Sequence, residues 1–412
     1  MPGAAGGIAV KRFFAWILAL MGALLLPLAG LADVDQPAQA EADAYFQGAF
    51  SRSGAIGGAV LVSQRGRRIY SFYWGGSDKR ASRSVDDETV YKVASVSKLT
   101  SAIGLMQLAE AKKLNLDAEL TYGEGVPIRN PWYPDAPITL RQAMSHTSSL
   151  LSAAPYVSPP RWDRADILSQ RYFAKREPGS KYEYANLNGG ILCSAVERAS
   201  GQSFNSYMAE HIFAPLGINA AYAAHLLPDP SALFATYNND GTLYCSAEKY
   251  IQTDAAEYED TCDPDRHYHT SVGSLYISLS GLEKIGQVLC SGAAGDVRIL
   301  SPQAAEIMRT DQAALPGSSV TGSSPYGLCV YRFSASDGVV WYGHQGRWEG
   351  MLVDLFVEPD TQTVVVFVMN GVGRSGNGGE VDAKAERALL HISPWLDSSG
   401  LLDDGMGFVV EE

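Results

Sequence analysis

The stretch VASVSKLTS, residues 93–101, sets a serine and a lysine three positions apart. At helical spacing Ser95 and Lys98 face the same way, one turn apart. A serine hydroxyl at its ordinary pKa is a poor nucleophile and needs a base within hydrogen-bond reach. A lysine can be that base only after losing its proton, so its pKa must fall from about 10.4 toward 7, a shift of roughly 4–5 kcal/mol. Burial in a cleft or a neighbouring positive charge can supply the shift. A helix start helps, because its dipole disfavours a nearby cation and the Ser95 amide can point at a developing oxyanion.

The same spacing recurs at Ser246 and Lys249, so the spacing alone decides little. Context separates the two pairs. Ser95 opens an apolar, amphipathic helix running through IGLMQLAEA, which can bury the lysine stem; Ser246 sits in a polar stretch beside Cys245.

The elements that must position Ser95 follow from periodicity and turn residues. A short helix is expected over about 39–52. GGAVLVSQ and RRIYSFYWG, 57–75, form a β-hairpin about Arg65–Gly66. ITLRQAMSH, 138–146, carries a capping box of Thr139 and Gln142. NLNGGILCSAVERASG, 186–201, is helical with Gly201 as its stop, and SLSGLEKIGQVLCSGA, 278–293, is helical again. The stretch 221–272, with its Pro, Asn, Asp and Tyr, is expected to be irregular. YGLCVYRF, VVWYGH, MLVDLFVEP and TVVVFVMN follow as strands between 326 and 370, and DAKAERALLHI, 382–392, as a closing helix. This is an α+β arrangement: one antiparallel sheet from N- and C-terminal segments flanked by helices, with a mostly helical region inserted over about 115–272.

Three ordered segments, VASVSK, KYEYANLNGGIL (181–192) and WYGHQGRWEGM (341–351), resemble the motifs of the serine β-lactamase-like hydrolases. That family includes class C β-lactamases, D-alanyl-D-alanine carboxypeptidases and related esterases. ITLRQAMSHTSSL, GDVRILSPQAAEIM and SPYGLCVY match in order too, and the resemblance covers about 45–393. It implies a β-lactamase/transpeptidase-like fold and an acyl-enzyme chemistry that needs no metal or cofactor. By it, Ser95 is the nucleophile and Lys98 its partner, the Tyr184 phenol relays protons to the leaving group, and the Asn186 amide holds Lys98 or the substrate amide. His344 lies on a strand edge, Gly346 allows close approach of substrate, and the backbone N–H of Arg347 joins that of Ser95 as an oxyanion hole. A rival Tyr237–Asn239 pair has no apolar helix behind it.

The departures from the family pattern carry information. No K-T-G or K-S-G occurs, so the third motif offers His344 where most β-lactamases place lysine. A neutral imidazole attracts a substrate carboxylate less, which favours a peptidase or esterase. Ser149 stands where glycine is usual, and LYISLSGLEK lacks the aspartate common near Gly281. The expected activity is that of an exported serine hydrolase acting on D-amino-acid peptides, such as peptidoglycan stem peptides, or on β-lactams. An esterase of small acyl esters is the alternative enzyme. A catalytically weak binding protein using 221–272 as its contact surface is the alternative from another class.

The rest of the chain bounds these readings. A formal net charge of −13 over 412 residues argues against nucleic acid or an anionic membrane surface as partner. Lys11 and Arg12 precede an apolar run from Phe13 to about Ala29, with small residues at Gly30 and Ala32, so 1–32 reads as a signal peptide or N-terminal anchor. AQA, 38–40, is a second plausible cleavage site. A linker at 33–44 and an acidic tail at 394–412 flank the hydrolase domain, 45–393, and the membrane enters only through an uncleaved leader. Export suits a disulfide, expected between Cys245 and Cys262 and contributing about 3 kcal/mol. Cys193, Cys290 and Cys329 read as small buried side chains, and the odd total of five leaves a thiol free. His146 is expected to order its loop by hydrogen bonding, and His267 and His269 to be exposed. Arg347 and Trp348 can contact substrate or stack structurally. No GxSxG or HExxH is present.

Overall fold

The computed structural model describes residues 36–371, apart from 79–81, 123–124, 153–168, 239, 267, 313–325 and 335–339. The expected leader, the helix over 382–392, the acidic tail, His267 and Asn239 lie outside the described residues.

After helix α1 (Gln36–Ser53), strands β1 (Gly57–Gln64) and β2 (Arg67–Gly75) form the expected hairpin. Arg65 and Gly66 both take positive φ, 52° and 74°, the hand that matches strand twist in a two-residue turn. The C-terminal part of the chain adds β6 (Tyr331–Ser334), β7 (Val340–Trp348), β8 (Met351–Glu358) and β9 (Thr363–Asn370). The sheet order is β6-β7-β8-β9-β1-β2, antiparallel throughout, with β1 zipped to β9 from Gly57↔Asn370 to Gln64↔Thr363. The N- and C-terminal segments thus share one sheet, as an α+β chain of this pattern should.

MLVDLFVE and TVVVFVMN lack polar alternation because both faces of β8 and β9 are covered. Val353, Leu355, Val357, Val364, Val366 and Val368 pack into the main core with helix α2 (Val96–Glu110) and helix α7 (Leu279–Ser291). Leu352, Phe356, Val365 and Phe367 pack on the other side with Phe46 and Phe50 of α1. Of the expected strand YGLCVYRF, 326–333, only Tyr331, Arg332 and Phe333 lie in a strand, β6. Cys329 at φ 55° turns the chain back, and the Gly327 amide donates to the Val330 carbonyl across that turn.

A small second sheet carries the chain into the site. Its order is β3 (Val90–Lys92), β5 (Tyr276–Ser278), β4 (Ala220–Ala221). Helix α2 follows β3 directly and is buried almost all round from Val96 to Met106, so the expected one-sided helix is instead a central one. Thr139 caps helix α3 (Leu140–Met144) with the expected box, its hydroxyl accepting from the Gln142 amide at 3.2 Å. Helix α4 (Asn186–Ser200) stops at Gly201, φ 72°.

Two expectations about 221–272 are corrected. The stretch contains helix α5 (Ala247–Glu257), capped by Ser246, whose hydroxyl accepts from the Lys249 amide at 3.1 Å. The rival serine–lysine pair is therefore a helix cap. Cys245 and Cys262 are free thiols, not a disulfide. They flank α5, which spans about 16 Å, while a disulfide joins Cα atoms within about 7 Å. Cys245 Sγ faces the Ser246 carbonyl at 3.6 Å and Cys262 Sγ the Glu197 carbonyl of α4 at 3.9 Å.

Candidate active site

Between β3 and α2 the backbone makes one unusual step. Ala94 takes φ 46°, a left-handed conformation that a residue with a β-carbon rarely adopts. The step turns the strand into the helix and leaves Ser95 at the N-cap with φ −65° and ψ −10°, its side chain making no capping bond. Ser97 holds the turn: its hydroxyl donates to the Ala94 carbonyl at 2.6 Å and accepts from the Leu275 amide at 3.0 Å. Gly346 of β7 crosses the same turn so closely that a β-carbon there would lie 2.1 Å from the Val93 carbonyl oxygen. The glycine is required by backbone packing, a stronger demand than substrate access.

Lys98 is 0 % exposed, and burial lowers its pKa from 10.5 to about 7. Its Nζ lies 3.0 Å from Ser95 Oγ, 2.9 Å from Asn186 Oδ1 and 2.8 Å from the Val272 carbonyl. A neutral amine has two N–H donors and one lone pair. Asn186 and Val272 can only accept, so they take the two hydrogens and leave the lone pair facing the Ser95 hydroxyl. With its pKa lowered to about 7, the amine can take this uncharged form near neutral pH. Asn186 opens α4 and its own amide donates to Ser152 Oγ at 2.7 Å. Val272 sits on helix α6 (Thr270–Gly273).

The Tyr184 hydroxyl reaches Ser95 Oγ at 3.1 Å, so amine and phenol meet on one oxygen. Behind the phenol stands a wall of rings. His146 stacks on Tyr184 with centroids 4.2 Å apart, and Tyr326 meets His146 edge-on at 4.9 Å. His146 Nδ1 accepts from the Ala185 amide at 3.1 Å and faces Asn188 Nδ2 at 3.1 Å. Burial pushes the imidazole well below its ordinary pKa, so it stays neutral. The loop-ordering part expected of His146 is what its bonds perform, and they end on the residue next to Tyr184.

His344 does not open toward a ligand. It is 1 % exposed, and burial lowers its pKa to about 3. Its Nδ1 lies 2.5 Å from the Gln345 carbonyl and its Nε2 2.8 Å from the Tyr326 hydroxyl. A carbonyl accepts, so Nδ1 carries the hydrogen and Nε2 accepts from Tyr326. Both nitrogens are committed, Nδ1 to the backbone and Nε2 to the ring wall. The strand edge itself is present: β6 pairs with β7 only over 340–343, and from His344 to Trp348 no strand among the described residues covers that side. Arg347 lies on this stretch, opposite Leu352.

The structure brings Ser95, Lys98, Tyr184 and Asn186 into one hydrogen-bonded group, sets Gly346 against the turn before Ser95, and turns His344 away. Two participants escaped the sequence reading. Gly189 follows Asn186 by three positions, and a β-carbon on it would lie 2.6 Å from Lys98 Cε. Its signal was the helical spacing. Val272 acts through its carbonyl, for which no side chain gives a sign. A hydroxyl held between a neutral amine and a phenol is equipped to attack a carbonyl carbon and to pass its proton on.

Comparison with known proteins fits this geometry. The Beta-lactamase family model matches residues 36–389. The D-alanyl-D-alanine-carboxypeptidase/endopeptidase AmpH of Escherichia coli (strain K12) is 29% identical over 221 residues, which are 51% of this chain and 56% of that protein. A D-aminopeptidase of Brucella ovis is 34% identical over 188 residues, 43% of this chain and 34% of that protein. The matches thus span about half of the first relative and a third of the second. The crystal structure of the D-amino acid amidase from Ochrobactrum anthropi SV3 is similar with a TM-score of 0.60 at 19% identity, covering 86% of this chain and 99% of that one. At that identity the likeness speaks for the fold alone.

Proposed function

The chain belongs to the Beta-lactamase family, and we propose that it works as a serine hydrolase through an acyl-enzyme on Ser95. The observation that carries this reading is the buried Lys98 amine 3.0 Å from the Ser95 hydroxyl. Lys98 takes the Oγ proton as Oγ attacks the substrate carbonyl carbon. The new C–O bond pushes the carbonyl electrons onto oxygen, and the amides of Ser95 and Arg347 hold that charge. Removing one such donor typically lowers the rate about 10²–10³-fold. Tyr184 gives a proton to the leaving nitrogen as the C–N bond breaks and recovers one from Lys98. Water then attacks the acyl-enzyme by the reverse route, with the same amine and phenol receiving its proton.

The substrates we propose are D-amino-acid peptides or amides, with peptidoglycan stem peptides as the natural class. The names of AmpH and the D-aminopeptidase support this choice. The apolar run behind Lys11 and Arg12 supports export.

A fluorophosphonate probe tests the reading. It is expected to label the wild-type protein and leave Ser95→Ala unlabelled; equal labelling of both removes Ser95 as nucleophile. Release of p-nitrophenol from small esters with no cleavage of D-amino-acid amides would move the substrate assignment to an esterase.

A further inference from the structure

A second lysine lies beside the site with a different environment. Lys92 ends β3, three residues before Ser95. Its Nζ is 5.2 Å from the Tyr250 ring centroid, 5.3 Å from Tyr276 and 5.1 Å from Trp348. Tyr250 and Tyr276 are buried and packed edge-on, Trp348 is 39 % exposed, and Lys92 itself is half-buried. Every polar contact of Lys98 is filled. Among the described residues none of the three N–H groups of Lys92 has a hydrogen-bond acceptor or a carboxylate within ion-pair distance. The rings favour a cation over their faces but give its N–H groups no lone pair. Burial lowers the pKa of Lys92, and Asp254 and Glu257 offset this only from a distance. His269, half-buried rather than exposed as expected, stands within electrostatic reach, its Nδ1 without a partner among the described residues.

The position of the cage relative to the reacting atoms is set by β7. Gly346 rides on the Val93 carbonyl, and two residues further Trp348 covers Lys92. Tyr184, the proposed proton donor to the leaving group, lies at the other end of that strand, its ring 6.3 Å from His344. Four residues of strand, about 13 Å, separate His344 from Trp348. With Tyr184 as the proton donor, the leaving group would lie at the Tyr184 end of β7 and the half of the substrate retained on Ser95 would extend toward Lys92.

We propose that Lys92, framed by Tyr250, Tyr276 and Trp348, is a specificity subsite for an anionic group, a carboxylate, carried on the acyl half of the substrate. This rests on the acyl-enzyme reading above and adds to it a preference. The cation that the third motif lacks is supplied here, on the opposite side of the scissile bond. An arriving carboxylate gives the ammonium the acceptor it lacks and restores the charge that burial disfavours.

Two matched esters test it: p-nitrophenyl hydrogen glutarate, whose acyl chain ends in a carboxylate, and p-nitrophenyl valerate, with the same number of acyl carbons and no charge. The wild-type ratio of kcat/KM, glutarate over valerate, is expected to fall about five- to tenfold in Lys92→Met, mainly through KM. The valerate rate should stay within about twofold, and Lys92→Arg should recover most of the preference. In the wild type, raising ionic strength should lower the same ratio, a reading that needs no variant to fold. A ratio unchanged by Lys92→Met, or unaffected by salt, overturns the subsite while leaving Ser95 acylation intact. Failure of both esters to acylate Ser95 removes the hydrolase reading and the subsite with it.

Discussion

Gly189 and Lys98 are packed so closely that a β-carbon on the glycine would lie 2.6 Å from Cε, 3.1 Å from Cδ and 3.2 Å from Cγ of the lysine. The glycine on α4 sets the path along which the lysine stem reaches Ser95. In an open helix alanine is favoured over glycine by about 0.5–1 kcal/mol. Here the extra methyl must push the amine off Asn186, Val272 or Ser95. Gly189→Ala is expected to slow fluorophosphonate labelling of Ser95 about 10–100-fold while the protein still melts cooperatively. Wild-type labelling in this variant would show that the lysine path is not constrained.

His146 supports the phenol from behind. His146→Ala removes the ring stacked on Tyr184 and leaves the buried Ala185 amide without its acceptor. A loss of about 1–3 kcal/mol in stability is expected for the orphaned donor. His146→Asn restores a nearby acceptor and suits the φ of 53° at this position, yet lacks the ring. Stability should recover in His146→Asn while kcat stays about tenfold down and KM changes little. Recovery of kcat together with stability would reduce His146 to a purely structural part.

Glu197 gives a pH dependence of stability. The carboxyl is 1 % exposed on α4, and its Oε1 accepts from the Phe204 amide at 2.9 Å. Burial raises its pKa from 4.5 to about 7. The folded state therefore binds this proton more tightly than the unfolded state. The resulting stability is fully present below about 4.5 and is lost as pH rises through about 7. Glu197→Gln keeps an acceptor and removes the charge. Its melting temperature at pH 8 should exceed that of the wild type by roughly 2–5 °C, with little difference at pH 5. An equal shift at both pH values would assign the effect to packing.

Much of the fold was legible because hydrophobic pattern and turn chemistry agree along the chain. Arg65–Gly66 forced the first hairpin, and the apolar runs at 351–358 and 363–370 needed cover on both faces. The site was legible where spacing carries it: Ser95 with Lys98, Tyr184 with Asn186. What failed depended on contacts distant in sequence. The burial of α2 on all sides comes from α4, α6 and the sheet rather than from its own pattern. The enclosure of His344 depends on Tyr326, placed by a turn at Cys329 that reads as strand. The disulfide expected at Cys245 and Cys262 failed because sequence separation says nothing of a helix standing between two thiols.

The uncharged state of Lys98 is the claim on which the mechanism turns, and the rate of Ser95 acylation against pH reads it directly. Below about 7 the amine binds a proton and cannot accept one from the hydroxyl; above it the base is free. With a probe that does not titrate between pH 5 and 10, the second-order labelling rate should rise about tenfold per pH unit from pH 5 and level off with a midpoint near 7. Lys98→Arg, fixed in its charged form, should lie at least about 10²-fold below that plateau at every pH. A rate flat across the range, or a midpoint near the ordinary lysine value of about 10.4, would contradict the mechanism.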